Sequence, residues 1–238
     1  MTPMRQIPLA IGPTGAPSLG NFLPGANAAA LAEVTALAPR IAAGDAAATP
    51  VYLWGPPGSG KTHLLRALTQ ACQSAGRAVG WFDATEPQPW CWVADWSLVV
   101  IDRCDLLNAH AQQAAFALFV ETAAQGTQLA AAGRLPPVDL PLRDDLRTRL
   151  AWGQVHGLQA PGDADTRAVL RRQADQRGIL LPDDVLSYLL SRFERDLSHL
   201  MRMLDALDDF ALVRSRHITV PLVRAMLAEQ GLDQAVSR

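Results

Sequence analysis

The chain is short of several residue types, and each shortage removes a class of protein. Only one of its 21 basic residues, Lys61, is a lysine, and the formal net charge of −2 offers no basic bulk charge suited to nucleic acid. Its three cysteines, Cys72, Cys91 and Cys104, lack metal-binding spacing, and its five histidines lack it too. Such a pattern argues against a disulfide framework or a zinc site and indicates a reducing compartment.

Long apolar runs are also lacking. The most apolar stretch near the start, residues 26–48, is mostly alanine and is interrupted by charged residues, proline and glycine, which excludes a membrane span. The first ten residues contain no apolar core of a signal peptide. We therefore expect a cytoplasmic protein. Its 238 residues, 49% of them hydrophobic, suffice for the core of one large domain or two small ones.

The order of the apolar runs predicts two domains. Predicted strands lie at 51–55, 78–82, 97–102, 128–132 and 152–158, with helical patterns at 27–41, 63–74, 109–124 and 143–150. This alternation is typical of βαβ units around a buried parallel sheet. After Pro161 only helical patterns follow, at 163–177, 182–193, 197–213 and 221–229. We predict a flexible, Pro- and Gly-rich tail over 1–20, an α/β domain over 21–160 and a helical domain over 161–238.

A complete phosphate-loop motif, G-x-x-x-x-G-K-T, follows the first predicted strand and opens a predicted helix. Its residues are Gly55, Pro56, Pro57, Gly58, Ser59, Gly60, Lys61 and Thr62. Glycines let consecutive backbone N–H groups turn toward phosphate oxygens, and the helix N-terminus adds its positive end. The lysine supplies a charge toward the β and γ phosphates, and the threonine offers a hydroxyl to Mg²⁺. The motif predicts binding of ATP or ADP.

The run Ser97–Asp102 predicts the matching Walker B strand, an apolar strand ending in an acid that holds Mg²⁺. Many ATPases of this kind carry a second acid at the next position, where it activates water. Arg103 occupies that position here, and Asp105, three residues beyond Asp102, is no obvious substitute. Because a general base must reach the attacking water, we predict poor intrinsic hydrolysis.

Phosphate loop, Walker B strand and helical C-terminal domain together resemble the AAA+ class, and specifically its DnaA-related branch, including the regulators that inactivate DnaA. Four further segments carry this resemblance: Asn21–Asn27, which is similar to the segment on the adenine side of the pocket; Gly133–Pro137, a degraded turn after sensor 1; Leu146–Gly153, which resembles the arginine-finger box; and His217–Val223 at the last helix. The likeness spans nearly the whole chain. It implies a P-loop AAA+ base domain with a small helical lid.

The resemblance also implies a function, a regulator of replication initiation. Arg149 stands in the place of an arginine finger, which would act in trans on ATP bound to DnaA. In the N-terminal tail, Gln6, Leu9 and Ile11 resemble the short peptide by which replication proteins dock on the sliding clamp. ADP or ATP with Mg²⁺ is the implied cofactor, and ADP is favoured. A homo-oligomer is possible.

Three departures from the family pattern strengthen the prediction of weak hydrolysis. Arg103 replaces the second acid, Ala132 and Gly133 occupy the sensor 1 region, and Ser198 occupies the sensor 2 arginine position between Arg195 and Arg202.

Two alternative functions stay open: a stand-alone P-loop ATPase of the helicase-loader type, and a non-catalytic clamp adaptor.

Two further expectations concern nucleic acid. No helix-turn-helix follows the lid pattern, so we expect no sequence-specific DNA binding by the chain itself. Four tryptophans, Trp81, Trp90, Trp92 and Trp96, surround a Pro-rich crossover. We predict that they pack there rather than form a base-stacking platform.

Overall fold

The computed structural model describes residues 17–45, 49–85, 89–193, 197–214 and 216–229. Within these ranges the chain forms two compact units, one over Pro17–Ala160 and a second that begins at Pro161. None of the helices in the described ranges is long and apolar enough to cross a membrane.

The first unit is built on a five-stranded sheet in which every strand is parallel to its neighbours, in the order β2-β3-β4-β1-β5. The strands are β1 (Val51–Trp54), β2 (Ala78–Asp83), β3 (Trp96–Asp102), β4 (Gln128–Gly133) and β5 (Gln154–Gly157). The helices are α1 (Ala28–Ala43), α2 (Lys61–Ser74), α3 (Ala109–Gln125) and α4 (Asp144–Ala151). Together with the helical unit described below, this confirms the predicted fold class, a parallel sheet flanked by helices with a helical C-terminal domain.

Alternation along the strands divides the apolar side chains between two cores. Leu98 and Val100 of β3 pack on one face of the sheet with residues of α1 and α2. Val99 and Ile101 pack on the other face with residues of α3 and α4. Because both faces are covered, β3 reads as a continuous apolar run, as parallel strands do.

The connection from β2 to β3 contains no helix within its described residues, 84–85 and 89–95. Aromatic rings pack together at this connection instead. The Phe82 ring lies 5.1 Å from the Trp90 ring and 5.5 Å from the Trp96 ring. Trp92 contacts Trp96 at 5.6 Å, so three of the four tryptophans pack around the crossover as predicted. Trp81 does not join them, since it follows the alternation of β2 onto the opposite face.

The second unit is helical throughout its described elements. These are α5 (Asp163–Gln176), α6 (Asp183–Arg192), α7 (Leu197–Arg214) and α8 (Val220–Glu229). Their apolar faces share one core that includes Leu170, Leu189, Leu204 and Met226. Arg177, which follows α5, forms an ion pair with Asp205 of α7 and so adds a polar link between two of the helices.

Candidate functional site

The phosphate loop connects the end of β1 to the start of α2 at the carboxyl edge of the sheet, where parallel α/β proteins bind ligands. Three of its glycines have positive φ angles: 151° at Gly55, 75° at Gly58 and 95° at Gly60. A side chain at Gly55 would collide with the backbone carbonyl of Leu158, and one at Gly60 would lie 2.6 Å from the Phe22 ring. Glycine is therefore required at both positions by close neighbours as well as by conformation.

Lys61, the first residue of α2, folds its side chain over the loop. Its ammonium donates hydrogen bonds to the carbonyls of Gly55 and Pro56, both at 2.8 Å, and to the Ser59 hydroxyl at 3.2 Å. Burial lowers the pKa of this ammonium, an effect that the carboxylates of Asp102 and Asp105 oppose. The charge is thus held at the mouth of the loop, where a phosphate group would lie.

Thr62 and Asp102 meet across the site, as the motif pairing predicts. The Thr62 hydroxyl donates a 2.7 Å hydrogen bond to Asp102 Oδ2, and Asp102 Oδ1 accepts another from the Arg103 backbone N–H at 2.9 Å. Burial raises the pKa of the Asp102 carboxyl. One hydroxyl and one carboxylate oxygen fit Mg²⁺, which takes few protein oxygens and completes its shell with water and phosphate. Among the described residues no group of three or more His, Cys, Asp or Glu forms an independent metal site.

Arg103 has the only positive φ angle, 56°, of any non-glycine residue in the described ranges. Its guanidinium turns toward β2 and forms an ion pair with Asp83, to which Nε donates at 2.8 Å. The same guanidinium donates to the Thr85 hydroxyl at 2.6 Å. The residue at the second-acid position therefore ties the ends of β2 and β3 together and brings no base to this edge.

At the sensor 1 region, Ala132 and Gly133 end β4 with their positions on opposite faces of the sheet. Ala132 is buried in the core beneath α1 and α2. On the other side, a side chain at Gly133 would collide with the hydroxyl of Tyr52, a fully buried residue of β1. That hydroxyl donates a 2.8 Å hydrogen bond to the Leu135 carbonyl, and burial raises its pKa strongly. Tyr52 thus occupies the space that a side chain at Gly133 would enter.

Asp105 and Arg134 form a second polar pair at the same edge. Asp105 Oδ1 accepts a 2.9 Å hydrogen bond from the Arg134 backbone N–H, and Oδ2 lies 3.6 Å from Arg134 Nε. The Asp105 side chain is 9% exposed and that of Arg134 is 61% exposed. Gly133, the neighbour of Arg134, accepts a hydrogen bond from the Gly55 N–H of the phosphate loop.

The segment before α1, predicted to lie on the adenine side, packs against the loop and its helix. The Phe22 ring contacts Gly60 and lies 5.6 Å from the imidazole of His63, which bonds the Ser18 carbonyl at 3.1 Å. The Asn27 amide forms two hydrogen bonds with the backbone of Gln159, at 2.8 and 2.9 Å. These contacts fix the segment beside the phosphate loop.

Arg149 lies in the last turn of α4, half-buried, with its guanidinium 4.9 Å from the centre of the Phe116 ring on α3. Arg143 approaches the same ring at 5.7 Å but is paired with Asp145. Within the part of the chain that the structure describes, Arg149 has neither an ion pair nor a side-chain hydrogen bond. Trp152, three residues further, is 75% exposed.

The predicted clamp peptide and the predicted sensor 2 region lie wholly or partly outside the described part of the chain. Gln6, Leu9 and Ile11 of the proposed clamp peptide and Arg195 lie outside the described residues. Ser198 belongs to α7, but its side chain is not described.

Sequence reasoning missed the partners of the motif residues. These partners belong to no recognised motif: they are Tyr52 beside Gly133, Asp83 bound to Arg103, and Phe116 beneath Arg149. No spacing rule in the sequence connects the members of each pair. Arg134 could have been found, because it follows a strand in the same way that Arg103 follows β3 and so must lie at the carboxyl edge.

Two family models match the chain. The model described as "Bacterial DnaA ATPase domain" matches residues 17–80, which include the phosphate loop. The model described as "Hda, lid domain" matches residues 163–227, nearly all of the described helical unit.

Solved structures of DnaA proteins and of a branch migration motor share the fold. Domain III of the Thermotoga maritima replication initiation protein DnaA is 17% identical with a TM-score of 0.75, over 90% of this chain and 97% of that one. AMPPCP-bound DnaA from Aquifex aeolicus is 19% identical with a TM-score of 0.63, over 84% and 68%. The Thermotoga maritima RuvB Holliday junction branch migration motor is 16% identical with a TM-score of 0.66, over 92% and 74%.

Proposed function

Because the chain is an Hda-like member of the DnaA-related AAA+ proteins, we propose that it regulates the initiation of chromosome replication in the cytoplasm by promoting hydrolysis of DnaA-bound ATP. The observation that carries this proposal is that Arg149, an arginine of the α/β unit, contacts the Phe116 ring and forms no ion pair with a carboxylate among the described residues. Its planar, permanent charge suits it to a neighbour's transition state.

The chain would bind ADP or ATP with Mg²⁺ at its own phosphate loop. Backbone N–H groups of the loop and the Lys61 ammonium would hold the phosphates, and Thr62 and Asp102 would hold the metal ion. Nucleotide bound to a DnaA relative of this fold supports the assignment. Mg²⁺ would supply charge neutralisation of the phosphates.

Weak hydrolysis by the chain itself follows from the groups around that site. Arg103 is engaged by Asp83 and Thr85, and Gly133 offers no side chain toward a γ-phosphate. Without a base to activate water, bound ATP would persist. The nucleotide would then serve to organise the protein, and the chemistry would occur in DnaA.

Delivery to DnaA would use the sliding clamp. The proposal that Gln6, Leu9 and Ile11 dock on the clamp rests on their sequence alone. A single extended peptide of this size binds at about μM, and a symmetric clamp that gathers several copies would raise the effective concentration.

The deciding experiment measures hydrolysis of DnaA-bound ATP with this protein, the clamp and DNA, each omitted in turn. We expect the complete mixture to stimulate hydrolysis and Arg149→Ala to abolish stimulation, since an arginine finger contributes a factor of about 10³–10⁵. Arg147→Ala is the matched control, because Arg147 lies on the same helix and its guanidinium is bound by Asp144 and by the Val138 carbonyl. Nucleotide binding by both variants should equal that of the parent.

Other outcomes favour the alternatives. Clamp binding with no effect on DnaA would favour the adaptor, and steady turnover of ATP by the chain alone near ~1 s⁻¹ would favour a loader-type ATPase. Equal stimulation by Arg149→Ala and the parent would refute the finger. For the clamp peptide, Gln6→Ala combined with Leu9→Ala should abolish capture on clamp-coated beads, and unchanged capture would contradict the assignment.

A further inference from the structure

The carboxyl edge of the sheet lacks a polar side chain where β4 ends. Gly133 cannot carry one, because the Tyr52 hydroxyl fills that space, and Ala132 is buried in the core. Arg103, at the end of the neighbouring β3, is bound by Asp83 and Thr85. A contact with the outer phosphates beyond those of the phosphate loop would therefore come from another group at this edge, while Asp102 would hold the metal ion.

Arg134 is placed to make that contact. It follows β4 directly, and β4 lies between β3, which ends in Asp102, and β1, which leads into the phosphate loop. The carbonyl of its neighbour Gly133 accepts the N–H of Gly55, the first residue of the loop. Its positive charge also lies close enough to Lys61 to lower the pKa of that ammonium, after the larger effect of burial.

Asp105 anchors Arg134 and leaves most of its guanidinium available. The carboxylate holds the Arg134 backbone N–H at 2.9 Å and meets Nε at 3.6 Å, beyond normal hydrogen-bond distance. Over the described residues, neither terminal nitrogen of the guanidinium has a hydrogen bond. The Arg134 side chain is 61% exposed, and the paired N–H donors of a guanidinium match the geometry of two phosphate oxygens.

Resting on the proposed nucleotide site, we propose that Arg134 is a second phosphate-binding cation, which contacts the terminal phosphate of a bound nucleoside triphosphate in place of the polar side chain that Gly133 lacks. The Lys61 ammonium donates three hydrogen bonds to the loop, and the exposed Arg134 guanidinium would add a separate charge-assisted contact with the phosphate. Arg134 would then determine how strongly the site prefers a triphosphate to a diphosphate.

The experiment compares binding of ADP and of the non-hydrolysable triphosphate AMPPCP, with Mg²⁺, to the full chain by titration calorimetry. We expect Arg134→Ala to weaken AMPPCP binding about tenfold or more and ADP binding much less, as loss of a charge-assisted hydrogen bond predicts. Arg134→Lys should restore part of the AMPPCP affinity, since it keeps the charge and loses the fork.

Three further variants separate the possible failures. Arg40→Ala removes an exposed arginine at the end of α1, beside the residues that precede β1, and should change neither affinity. Asp105→Asn removes the anchoring charge while Arg134 remains, so AMPPCP affinity should persist. Lys61→Ala should abolish binding of both nucleotides.

An AMPPCP-to-ADP affinity ratio that is the same in Arg134→Ala and the parent would overturn the inference while leaving the nucleotide site intact. An equal loss for both nucleotides together with a lower unfolding temperature would also overturn it, because it would indicate that Arg134 only supports the turn after β4. If the parent bound neither nucleotide, the proposed function itself would fail, a result distinguishable from both.

Discussion

Arg103 and Asp83 join the ends of two neighbouring strands by an ion pair, with Arg103 following Asp102 and Asp83 lying directly opposite Asp102 in the sheet register. The pair places a positive charge beside two buried carboxylates that would otherwise repel each other. Burial would raise the pKa of the Asp83 carboxyl, but hydrogen bonds from Arg103 and Thr85 outweigh burial and hold that pKa below its ordinary value. The arginine therefore stabilises the edge at which a catalytic acid is missing.

Arg103→Ala should destabilise the fold because it leaves the Asp83 carboxylate buried with only the Thr85 contacts. Arg103 is nearly half exposed, so solvent screening limits the expected loss to about 1 kcal/mol of unfolding free energy. Urea unfolding followed by tryptophan fluorescence measures it. The double variant Arg103→Ala with Asp83→Asn should be more stable than Arg103→Ala alone, since the unpaired charge is gone.

The pH dependence of this loss has a definite sign. Because folding lowers the pKa of Asp83, its ion pair stabilises the protein above the ordinary carboxyl pKa. That stabilisation disappears as pH falls through the lowered value. The stability difference between the parent and Arg103→Ala should thus be constant near neutrality and shrink in acid. A difference that grew in acid would contradict the pairing.

Substitutions at Tyr52 and Gly133 should have non-additive effects on the unfolding free energy. Gly133→Ala alone should cost about 2 kcal/mol, since its methyl group meets the buried Tyr52 hydroxyl. Tyr52→Phe alone loses the hydrogen bond to Leu135, about 1 kcal/mol. Combining them should cost less than the sum, because without the hydroxyl the nearest ring atom lies 3.4 Å from the new methyl group. Strict additivity in chemical denaturation would count against this relationship.

The fold was predictable to the extent that it follows from periodicity and motif context. Within the described residues, the five strands and eight α-helices occur where apolar runs and helical patterns indicated them, with shifts of a few residues at the ends. The α2 helix begins at Lys61, earlier than the predicted 63, because the phosphate loop runs straight into its first turn. The terminal residues of an element depend on local hydrogen bonds that a pattern does not contain.

The candidate site was predictable only for residues within motifs. Lys61, Thr62 and Asp102 lie together because strand-end rules bring them to one edge. The partners Asp83, Tyr52 and Phe116 depend on strand order and on which face of a strand each side chain points to. Neither property is visible until the sheet order is known, and the same holds for Trp81, which alternation separates from the other tryptophans.

Phe116 should position the proposed finger. Its ring lies 4.9 Å from the Arg149 guanidinium, and a cation–π contact of this kind is worth about 0.5–2 kcal/mol. Phe116→Leu should therefore lower the stimulation of DnaA-bound ATP hydrolysis several-fold while nucleotide binding by the chain stays unchanged. Arg143→Ala is the control, since Arg143 contacts the same ring from 5.7 Å and is already paired with Asp145. Equal stimulation by Phe116→Leu and the parent would show that Arg149 needs no such support.

Trp152 should contribute to binding DnaA rather than to the chemical step. It caps α4 three residues after Arg149, and 75% of it is exposed, so its ring is available to a partner that contacts Arg149. Trp152→Ala should leave the unfolding free energy within about 0.5 kcal/mol of the parent, because it removes little buried contact.

In titrations of DnaA with this protein, Trp152→Ala should raise the concentration needed for half-maximal stimulation about tenfold or more and preserve the plateau, as tryptophan hot spots in interfaces do. Arg149→Ala should instead lower the plateau. Leu180→Ala, which removes an 82% exposed leucine from the helical unit, is the matched control and should change neither quantity. A lowered plateau in Trp152→Ala would indicate that the ring orients the finger, because binding energy alone cannot change the rate at saturation.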